Sequence, residues 1–408
     1  MHIDLLAPEP FARNDFWSTL AWLRANSPVY RHPEPDGPGF WALSRYHDIV
    51  RVYADSDTFS SAQGMRLGSE PAAVAAVANR MLIVSDAPHH TRLKRALHQA
   101  FAPGRMPRVE RMVNDVVRDL VDEAEQRGEL DFIDLAKQLP NRVVCAMMGI
   151  PRADWSWIGQ LTTEAFDSPD ENVRSTAHSE IFLYFIDLLN RRRAEPGDDL
   201  VSEIAHQSRV TELDGTDRPL TDEEIVFNCN GVLSGANETT RYSAAGAVHM
   251  FARHPDQWRL LREGGSQAVG PAVEEVLRWT TPGVHALRTV TRDTEIGGVP
   301  IAAGDKVTLW NVSANRDEAV FADPHLFLAD RRPNRHIAFG HGRHLCLGAH
   351  LARLELSALL RELAPRLDGF ELAGPVVFNS SNFTWGITSI PVRLRLARNV
   401  TGTSPLAV

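Results

Sequence analysis

Cysteine is scarce in this sequence: its 408 residues include only Cys145, Cys229 and Cys346. These cysteines are odd in number, lie far apart and show no CxxC spacing, which argues against a disulfide framework and against a zinc site. Chains without disulfides are typical of reducing compartments, so we expect a cytoplasmic protein.

Long hydrophobic runs and an excess of positive charge are also missing. No apolar segment approaches the roughly 20 residues that are needed to cross a bilayer. Residues 1–8 lack the basic and then apolar pattern of a signal peptide. The formal net charge of -9 argues against a general nucleic-acid binder. We therefore expect a soluble protein without a membrane anchor and without a nucleic-acid partner.

Internal repeats, low-complexity tracts and linkers rich in Gly, Ser or Pro are absent as well, so we interpret residues 1–408 as one domain. Helical periodicity dominates the bulk of the chain, over 89–282 and again over 347–363. Strand-like patterns lie near 28–45, 285–310 and 376–398. The sequence thus predicts a mainly α protein with small β-sheets (α+β).

The most informative feature that is present is a glycine-rich loop around one cysteine, and it leads into a predicted helix. The loop has the sequence Phe339-Gly340-His341-Gly342-Arg343-His344-Leu345-Cys346-Leu347-Gly348. A thiolate at Cys346 faces the helix N-terminus, where free N–H groups and the helix dipole lower the pKa of a cysteine. Such a sulfur is suited to bind a metal. The alternative is a structural cysteine buried in a turn.

This loop resembles the haem-binding signature of the cytochrome P450 family, F-x-x-G-x-[RH]-x-C-x-G, at every defined position. The resemblance covers nearly the whole chain, from Val29 to Arg395, and implies the P450 fold. It implies haem b (iron protoporphyrin IX) as cofactor, with Cys346 as the metal ligand. Phe339 is expected to pack beneath the loop, and Gly348 to let the backbone approach the flat cofactor.

A second motif, Gly235-Ala236-Asn237-Glu238-Thr239-Thr240, lies in a predicted helix that begins after Thr221. These residues are poor material for the centre of a helix, and a threonine can bond to the carbonyl one turn earlier and bend it. By itself the motif could be a kink with a solvated or salt-bridged acid. It resembles the family's oxygen-activation motif, [AG]-G-x-[ED]-T, except that Ala236 replaces the usual glycine. The resemblance implies that Thr239 holds a water over the haem and that Glu238 relays protons.

The resemblance also assigns roles to charged residues that, taken singly, would be interpreted as surface charges. Cations at four positions match the family's contacts to the haem propionates: His90, Lys94, Arg288 and His344. The family usually has an arginine where this chain has Lys94. A lysine ammonium binds a carboxylate as a single compact charge, whereas an arginine guanidinium can donate two parallel hydrogen bonds to it. Glu275 and Arg278 match the family's E-x-x-R pair, and Arg331 matches the arginine that joins it to brace the core.

Substrate contacts are expected from the same resemblance at apolar or small residues, for which core packing is an equal alternative. These residues are Gly235, Ala236, Val284, Ala286 and Trp385.

The implied function is that of a haem-thiolate monooxygenase, which inserts one atom of dioxygen into a small organic substrate by hydroxylation or epoxidation. A secondary metabolite or its biosynthetic intermediate is the expected substrate. No FMN, NAD or iron–sulfur motif is present, so electrons are expected from a separate ferredoxin and ferredoxin reductase. A basic patch of Arg335, Arg343, His350 and Arg353 could steer an acidic donor. We expect a monomer.

Two alternatives remain open at this point. One is oxidative coupling or desaturation, with the substrate either free or tethered to a carrier protein. The other, from a different class, is a non-catalytic haem-thiolate binding or sensor protein. The pair Glu238 and Thr239 favours oxygen activation, because a sensor needs no proton relay.

Overall fold

Helices form most of the chain in the computed structural model, which describes residues 3–34, 37–100, 106–168, 170–212 and 214–397. The helices are α1 (Glu9–Ala12), α2 (Trp17–Asn26), α3 (Tyr46–Ala54), α4 (Pro71–Val77), α5 (His89–Ala100), α6 (Met106–Arg127), α7 (Phe132–Met147), α8 (Trp155–Asp167), α9 (Glu171–Ala194), α10 (Leu200–His206), α11 (Asp222–Arg253), α12 (Pro255–Thr280), α13 (Asn311–Ala314) and α14 (Ala349–Arg366). Among the described residues, none of these helices is both long and apolar enough to cross a membrane.

Short strands form small sheets beside the helices. They are β1 (Val29–Glu34), β2 (Gly37–Leu43), β3 (Phe59–Ser60), β4 (Glu129–Asp131), β5 (Arg209–Thr211), β6 (Asp217–Pro219), β7 (His285–Val290), β8 (Thr294–Ile296), β9 (Val299–Ile301), β10 (Lys306–Trp310), β11 (Leu367–Leu372), β12 (Val377–Phe378), β13 (Ile387–Ser389) and β14 (Pro391–Leu396). The largest sheet has the order β1-β2-β10-β7-β3, and its β2–β10 pair is parallel. A second sheet has the order β11-β14-β4.

The predicted fold class is confirmed: the chain is mainly helical with small sheets and forms a single domain. All three predicted β-rich stretches contain strands, although residue 398 at the end of the third lies outside the described residues. The strands β3, β4 and β11 and the β5–β6 hairpin were not predicted from the sequence. Except for β11, they have only two or three residues each, too few to show an alternating pattern. The predicted helical stretch 89–282 is accordingly interrupted by β4 and by that hairpin.

Helix periodicity accounts for the packing of the long helices. On α6, the buried side chains Val109, Val113, Val117, Leu120 and Val121 recur every three or four residues and form one apolar stripe. The stripe faces a large core that also includes α7, α12 and α14. Helix α11 belongs to this core with its C-terminal half and to a second core, built from α7 to α10, with its N-terminal half. It therefore runs through the centre of the molecule.

The start of α11 is fixed by a capping box. The Thr221 hydroxyl accepts from the Glu224 backbone N–H at 3.2 Å, and the Glu224 carboxylate accepts from the Thr221 backbone N–H at 2.8 Å. Each interaction satisfies an N–H group that a helix terminus leaves without a partner. Thr221 as the helix start, predicted from the sequence, is confirmed.

A network of buried charges joins α12 to the irregular segment that precedes the cysteine loop. Glu275 and Arg278 are both 0% exposed and form a bidentate pair with two contacts of 2.7 Å. The Arg331 Nε donates to the two Glu275 carboxylate oxygens at 3.1 and 3.0 Å. Arg278 also donates to the Asn315, Pro324 and Leu326 carbonyls. The arrangement agrees with the bracing role predicted for these three residues.

We expect Glu275→Gln to destabilise the fold by about 3–5 kcal/mol, because it leaves two buried guanidinium groups without their counter-charge. The free energy of unfolding, measured with denaturant, checks this. The control is Asp115→Asn, which removes an exposed ion pair with Arg118 and should cost less than about 1 kcal/mol. Equal losses in the two variants would contradict the bracing role.

Candidate functional site

The loop around Cys346 is a tight, glycine-dependent turn that ends at the start of α14. Gly340 and Gly342 have φ of 72° and 68°, in the left-handed region that favours glycine. A Cβ on Gly342 would lie 2.5 Å from the Tyr53 carbonyl oxygen, so the loop packs directly against α3. The Cys346 backbone N–H donates to the Phe339 carbonyl at 3.0 Å and closes the loop. Phe339 itself packs against the large core, with the Arg353 guanidinium 4.6 Å from its ring centroid.

Cys346 is accessible in the protein chain, although protein atoms surround much of its sulfur. Burial raises the pKa of the Cys346 thiol, while the Gly348 and Ala349 backbone N–H groups and the cations of Lys94 and Arg353 oppose this shift. The helix N-terminus lowers the pKa of the thiol as predicted from the sequence, but the larger effect of desolvation raises it. The expectation of a lowered pKa is therefore wrong for the protein chain alone.

The four cations predicted to bind propionates lie near one another and near the cysteine loop. The ring centroids of His90 and His344 are 4.1 Å apart. Arg288 on β7 is 7% exposed, and its guanidinium lies over the Tyr53 ring at 5.4 Å. Among the described residues, no carboxylate forms an ion pair with Arg288 or Lys94. Asp86 is the carboxylate that acts on Arg288 and His90, but it forms no ion pair with either of them in the described part of the chain.

Burial and the neighbouring cations keep both histidines of this cluster neutral. Burial, followed by Lys94 and Arg343, lowers the pKa of His90 to about 4. Burial, followed by Arg288 and His90, lowers the pKa of His344 to about 2. In the described part of the chain, the buried His90 Nδ1 and His344 Nε2 atoms have no hydrogen-bond partner. Buried polar atoms are rarely left in this condition, which is typical of a site that binds an anion.

Lys94 has a different geometry from the other three cations. Its Nζ donates to the Arg343 carbonyl at 2.6 Å and to the Leu345 carbonyl at 3.1 Å. Both acceptors belong to the cysteine loop. Lys94 therefore holds the backbone of the loop, in addition to the propionate contact that the resemblance implies for it.

The Gly235–Thr240 motif lies in the middle of α11, and its threonine forms the predicted bond to the preceding turn. The Thr239 Oγ1 donates to the Gly235 carbonyl at 2.8 Å. Gly235 is exposed, and a Cβ placed on it would meet no atom within 4 Å. Helix α11 continues through the motif without a break, so this bond does not end the helix. The motif therefore faces open space on the side of Gly235.

The acid of this motif is buried and paired. Glu238 and Arg241, each 2% exposed, form an ion pair across one helix turn. The Arg241 Nη2 also donates to the Tyr242 hydroxyl at 3.0 Å. This agrees with the salt-bridged alternative for Glu238, and a role as proton relay requires the carboxylate to turn away from Arg241.

Comparisons with known proteins decide the family. The family model described as Cytochrome P450 matches residues 162–372. A putative cytochrome P450 126 of Mycobacterium tuberculosis is 36% identical over 409 residues, covering 96% of this chain and 97% of that protein. The chain belongs to the cytochrome P450 family. Cytochrome P450 NovI of Streptomyces niveus is 35% identical, covering 96% of each chain. The crystal structure of P450 OxyD, involved in the biosynthesis of vancomycin-type antibiotics, has a TM-score of 0.87 at 35% identity and covers 97% of this chain and 100% of its own.

Membership makes this P450 an oxidoreductase of the monooxygenase kind, in a family that uses a haem-thiolate cofactor and takes electrons from redox partners. The resemblance stated from the cysteine loop is confirmed. The residues present fit such a cofactor. Cys346 offers a sulfur ligand, and the cluster of His90, Arg288 and His344 offers donors for two carboxylates.

The residues predicted to contact substrate do not form one group. Gly235 is exposed and Ala236 is half-buried at the edge of the second core. Val284 is 0% exposed and Trp385 is 5% exposed, and both belong to a core with α1, α2 and β2. This burial favours the core-packing alternative for Val284 and Trp385. Ala286 is half-buried beside a third core.

A buried acid that the sequence analysis missed lies between α11 and α14. Glu355 is 1% exposed, and burial raises its pKa to about 8 although a hydrogen bond from Thr240 opposes the shift. Its Oε1 has no partner among the described residues. The available signal was a single acid on the apolar face of a predicted helix, nine residues after Cys346. Glu355 ties the motif on α11 to the helix that follows the cysteine.

Glu355→Gln should change how the stability of the fold depends on pH. The folded-state pKa of about 8 lies above the ordinary 4.5, so the stabilising contribution of Glu355 is complete at low pH and is lost as the pH rises through 8. Between pH 4.5 and about 8, the free energy of unfolding of the wild type should fall relative to that of the variant by up to about 1.4 kcal/mol per pH unit. Denaturant unfolding of both proteins, measured at several pH values between these limits, checks this.

The matched variant for this test is Thr240→Val, which removes the hydroxyl but keeps the acid. Since the Thr240 bond lowers the pKa of Glu355, this variant should retain the pH dependence and extend it to higher pH. Parallel pH profiles for the wild type and Glu355→Gln would show that Glu355 is ionised in the folded protein at neutral pH, against our assignment.

Proposed function

We propose that this P450 binds haem b through Cys346 and inserts one atom of dioxygen into a small organic substrate by hydroxylation or epoxidation. One observation carries the proposal: an accessible cysteine at a helix N-terminus lies near the buried His90, Arg288 and His344, which form no ion pair with a carboxylate among the described residues. A metal-binding sulfur and an anion-binding edge are the two features that a haem with propionates requires. Phe339 packs against the core beneath the loop, and Gly348 lies close to the sulfur, since a Cβ placed on it would be 3.9 Å from the Cys346 Sγ.

We assign the propionate contacts to three buried side chains, two of which have a ring nitrogen without a hydrogen-bond partner among the described residues. We assign the His90 Nδ1 and His344 Nε2 atoms, together with the Arg288 guanidinium, as donors to the propionates. An anion beside these rings would favour their protonated forms, against the burial that now keeps them neutral. Lys94 acts from the cysteine loop, where it is already bound to two carbonyls.

We assign proton delivery to the Gly235–Thr240 motif of α11. When bound, haem supplies the activation of dioxygen, a reaction that consumes protons and electrons. The Thr239 hydroxyl donates to the Gly235 carbonyl, so its lone pairs remain available to accept a hydrogen bond from a water on the open side of the helix. Glu238 is buried beside it and is held by Arg241. In this assignment, the carboxylate leaves Arg241, takes a proton from a water connected to solvent and passes that proton to the water held by Thr239.

A secondary metabolite or its biosynthetic intermediate is the substrate class we propose. The support is the likeness to P450 OxyD, which is involved in the biosynthesis of vancomycin-type antibiotics. Gly235 and Ala236 are the residues best placed to contact such a substrate, because they line the open side of α11 beside Thr239.

A separate ferredoxin, reduced by a ferredoxin reductase, is the electron donor we propose. Arg335, Arg343 and His350 are exposed around the cysteine loop of a chain whose formal net charge is -9. A local positive surface of this kind attracts an acidic protein. Arg353 contributes less than the sequence suggested, because it forms a bidentate pair with Glu274 at 2.6 and 2.9 Å. We propose that the enzyme acts as a monomer in the cytoplasm, the compartment that its three free cysteines favour.

The carbon-monoxide difference spectrum of the reduced protein tests the cofactor assignment. A strongly red-shifted Soret band is expected for thiolate-ligated haem, and Cys346→His should abolish the shift. Cys145→Ala, at a buried cysteine in the second core, should leave the spectrum unchanged. An unshifted band in the well-folded wild-type protein would contradict the assignment of Cys346.

Thr239→Val should retain haem and the shifted spectrum but lose coupling, so that electrons from NADPH appear in peroxide and no longer in product. The measurement is the ratio of product to NADPH consumed, with ferredoxin, its reductase and a substrate found by spin-state screening. Thr162→Val is the matched control, because the Thr162 hydroxyl donates to the Ile158 carbonyl at 2.7 Å in the same helical geometry on α8. An equal ratio of product to NADPH consumed in the two variants would exclude Thr239 from proton delivery. It would favour the alternative of oxidative coupling or desaturation.

A further inference from the structure

A cavity with a volume of about 370 Å³ lies beside the C-terminal half of α11, between α2, the end of α12 and the β12–β13 hairpin. Its lining includes His249 and Met250 from α11 and Trp17 from α2. Neither the cysteine loop (339–348) nor the motif 235–240 contributes to the described lining. The cavity is therefore separate from the site assigned to the cofactor, and its volume falls within the range of small-molecule sites.

The charges that line this cavity are all positive or titratable to positive. They belong to His249, Arg253, His254, Arg316 and His325. Burial lowers the pKa of His249 to about 4, and the His325 Nε2 lies 3.5 Å from the Glu318 carboxylate, so the two arginines carry most of the positive charge. Within the described residues, the lining contains no aspartate and no glutamate. Arg253 and His325 are exposed and lie at the mouth of the cavity, whereas Arg316 lies inside. An electropositive cavity with low-dielectric walls concentrates anions.

Arg316 is a buried guanidinium that forms no ion pair among the described residues. It is 4% exposed, and its Nη2 donates to the Trp279 carbonyl at 2.9 Å. Its Nη1 has no hydrogen-bond partner in the described part of the chain. Burial, followed by repulsion from Arg278 and Arg24, lowers the pKa of Arg316 well below its ordinary value, and the Glu275 carboxylate opposes this shift only in part. A buried cation in these conditions is strongly stabilised by an anion that binds it.

The walls of the cavity are aromatic. The Arg316 guanidinium lies 3.6 Å from the Trp17 ring centroid and 4.8 Å from that of Trp279. Trp385 and Phe378 stack with centroids 5.0 Å apart and complete the apolar lining. Rings of this kind favour a flat apolar ligand, and a guanidinium favours a planar carboxylate over other anions of similar size.

We propose that this cavity binds a small aromatic carboxylate, whose carboxylate accepts from the Arg316 guanidinium and whose ring lies against the aromatic lining. Arg253 at the mouth contributes attraction at longer range. The alternative for Arg316 is a purely structural role, in which its contacts with the two tryptophans are its whole function. The two roles make opposite predictions for ligand binding.

Calorimetric titration of the haem-containing protein with benzoate tests the proposal. Excess imidazole is added to occupy the haem iron, so that binding in the cofactor site is blocked. One saturable site is expected. Arg316→Gln should weaken benzoate by about tenfold or more, the loss expected for one charge-assisted hydrogen bond. Benzamide, which has the same shape without the charge, should bind wild-type protein more weakly by a similar factor.

Two further variants keep the test decisive if Arg316→Gln does not fold. Arg253→Gln changes only an exposed residue at the mouth and should weaken benzoate by about threefold. Arg361→Gln, at an exposed arginine of α14 that does not line the cavity, should have no effect. The proposal is overturned by absence of saturable heat, by binding that imidazole abolishes, or by equal affinity in Arg253→Gln and Arg361→Gln. Equal binding of hexanoate and benzoate would remove the aromatic specificity.

Discussion

One buried carboxylate with two guanidinium groups holds the functional half of this P450 together. Glu275 accepts from Arg278 on its own helix and from Arg331 in the segment that precedes the cysteine loop. That segment has little regular structure, so its course depends on side chains donating to its carbonyls. The two arginines do this at several places. The position of Cys346 thus depends on charges that lie far from it in the sequence.

Unpaired positive charge is the second organising feature, and it occurs at two places in the molecule. At the cysteine loop, Asp86 acts on Arg288 and His90 without forming an ion pair with either among the described residues, as expected where a cofactor brings its own carboxylates. At the cavity beside α11, Arg316 is buried between two tryptophans and likewise forms no ion pair in the described part of the chain. Burying a charge without a partner is costly, so each arrangement indicates an anion that the protein chain does not provide.

The thiol and the proton motif show how local geometry and burial compete. The backbone N–H groups at the start of α14 favour an anionic sulfur at Cys346, yet desolvation outweighs them in the protein chain alone. A bond from sulfur to a metal replaces the lost solvation, and so this position suits a ligated thiolate better than a free one. Likewise, Glu238 is buried with Arg241 and Glu355 is buried with Thr240, so both acids beside α11 depend on their partners.

The sequence by itself determined the fold class, the capped start of α11 and the family to which the cysteine loop belongs. It could do so because these features are local: periodicity, capping and motif spacing act over a few residues. Only the tertiary structure decided the raised pKa of Cys346, the attachment of Lys94 to loop carbonyls, the burial of Val284 and Trp385, and the Glu355 and Arg316 environments. Burial and electrostatics sum over neighbours from distant parts of the chain, and no local pattern records that sum.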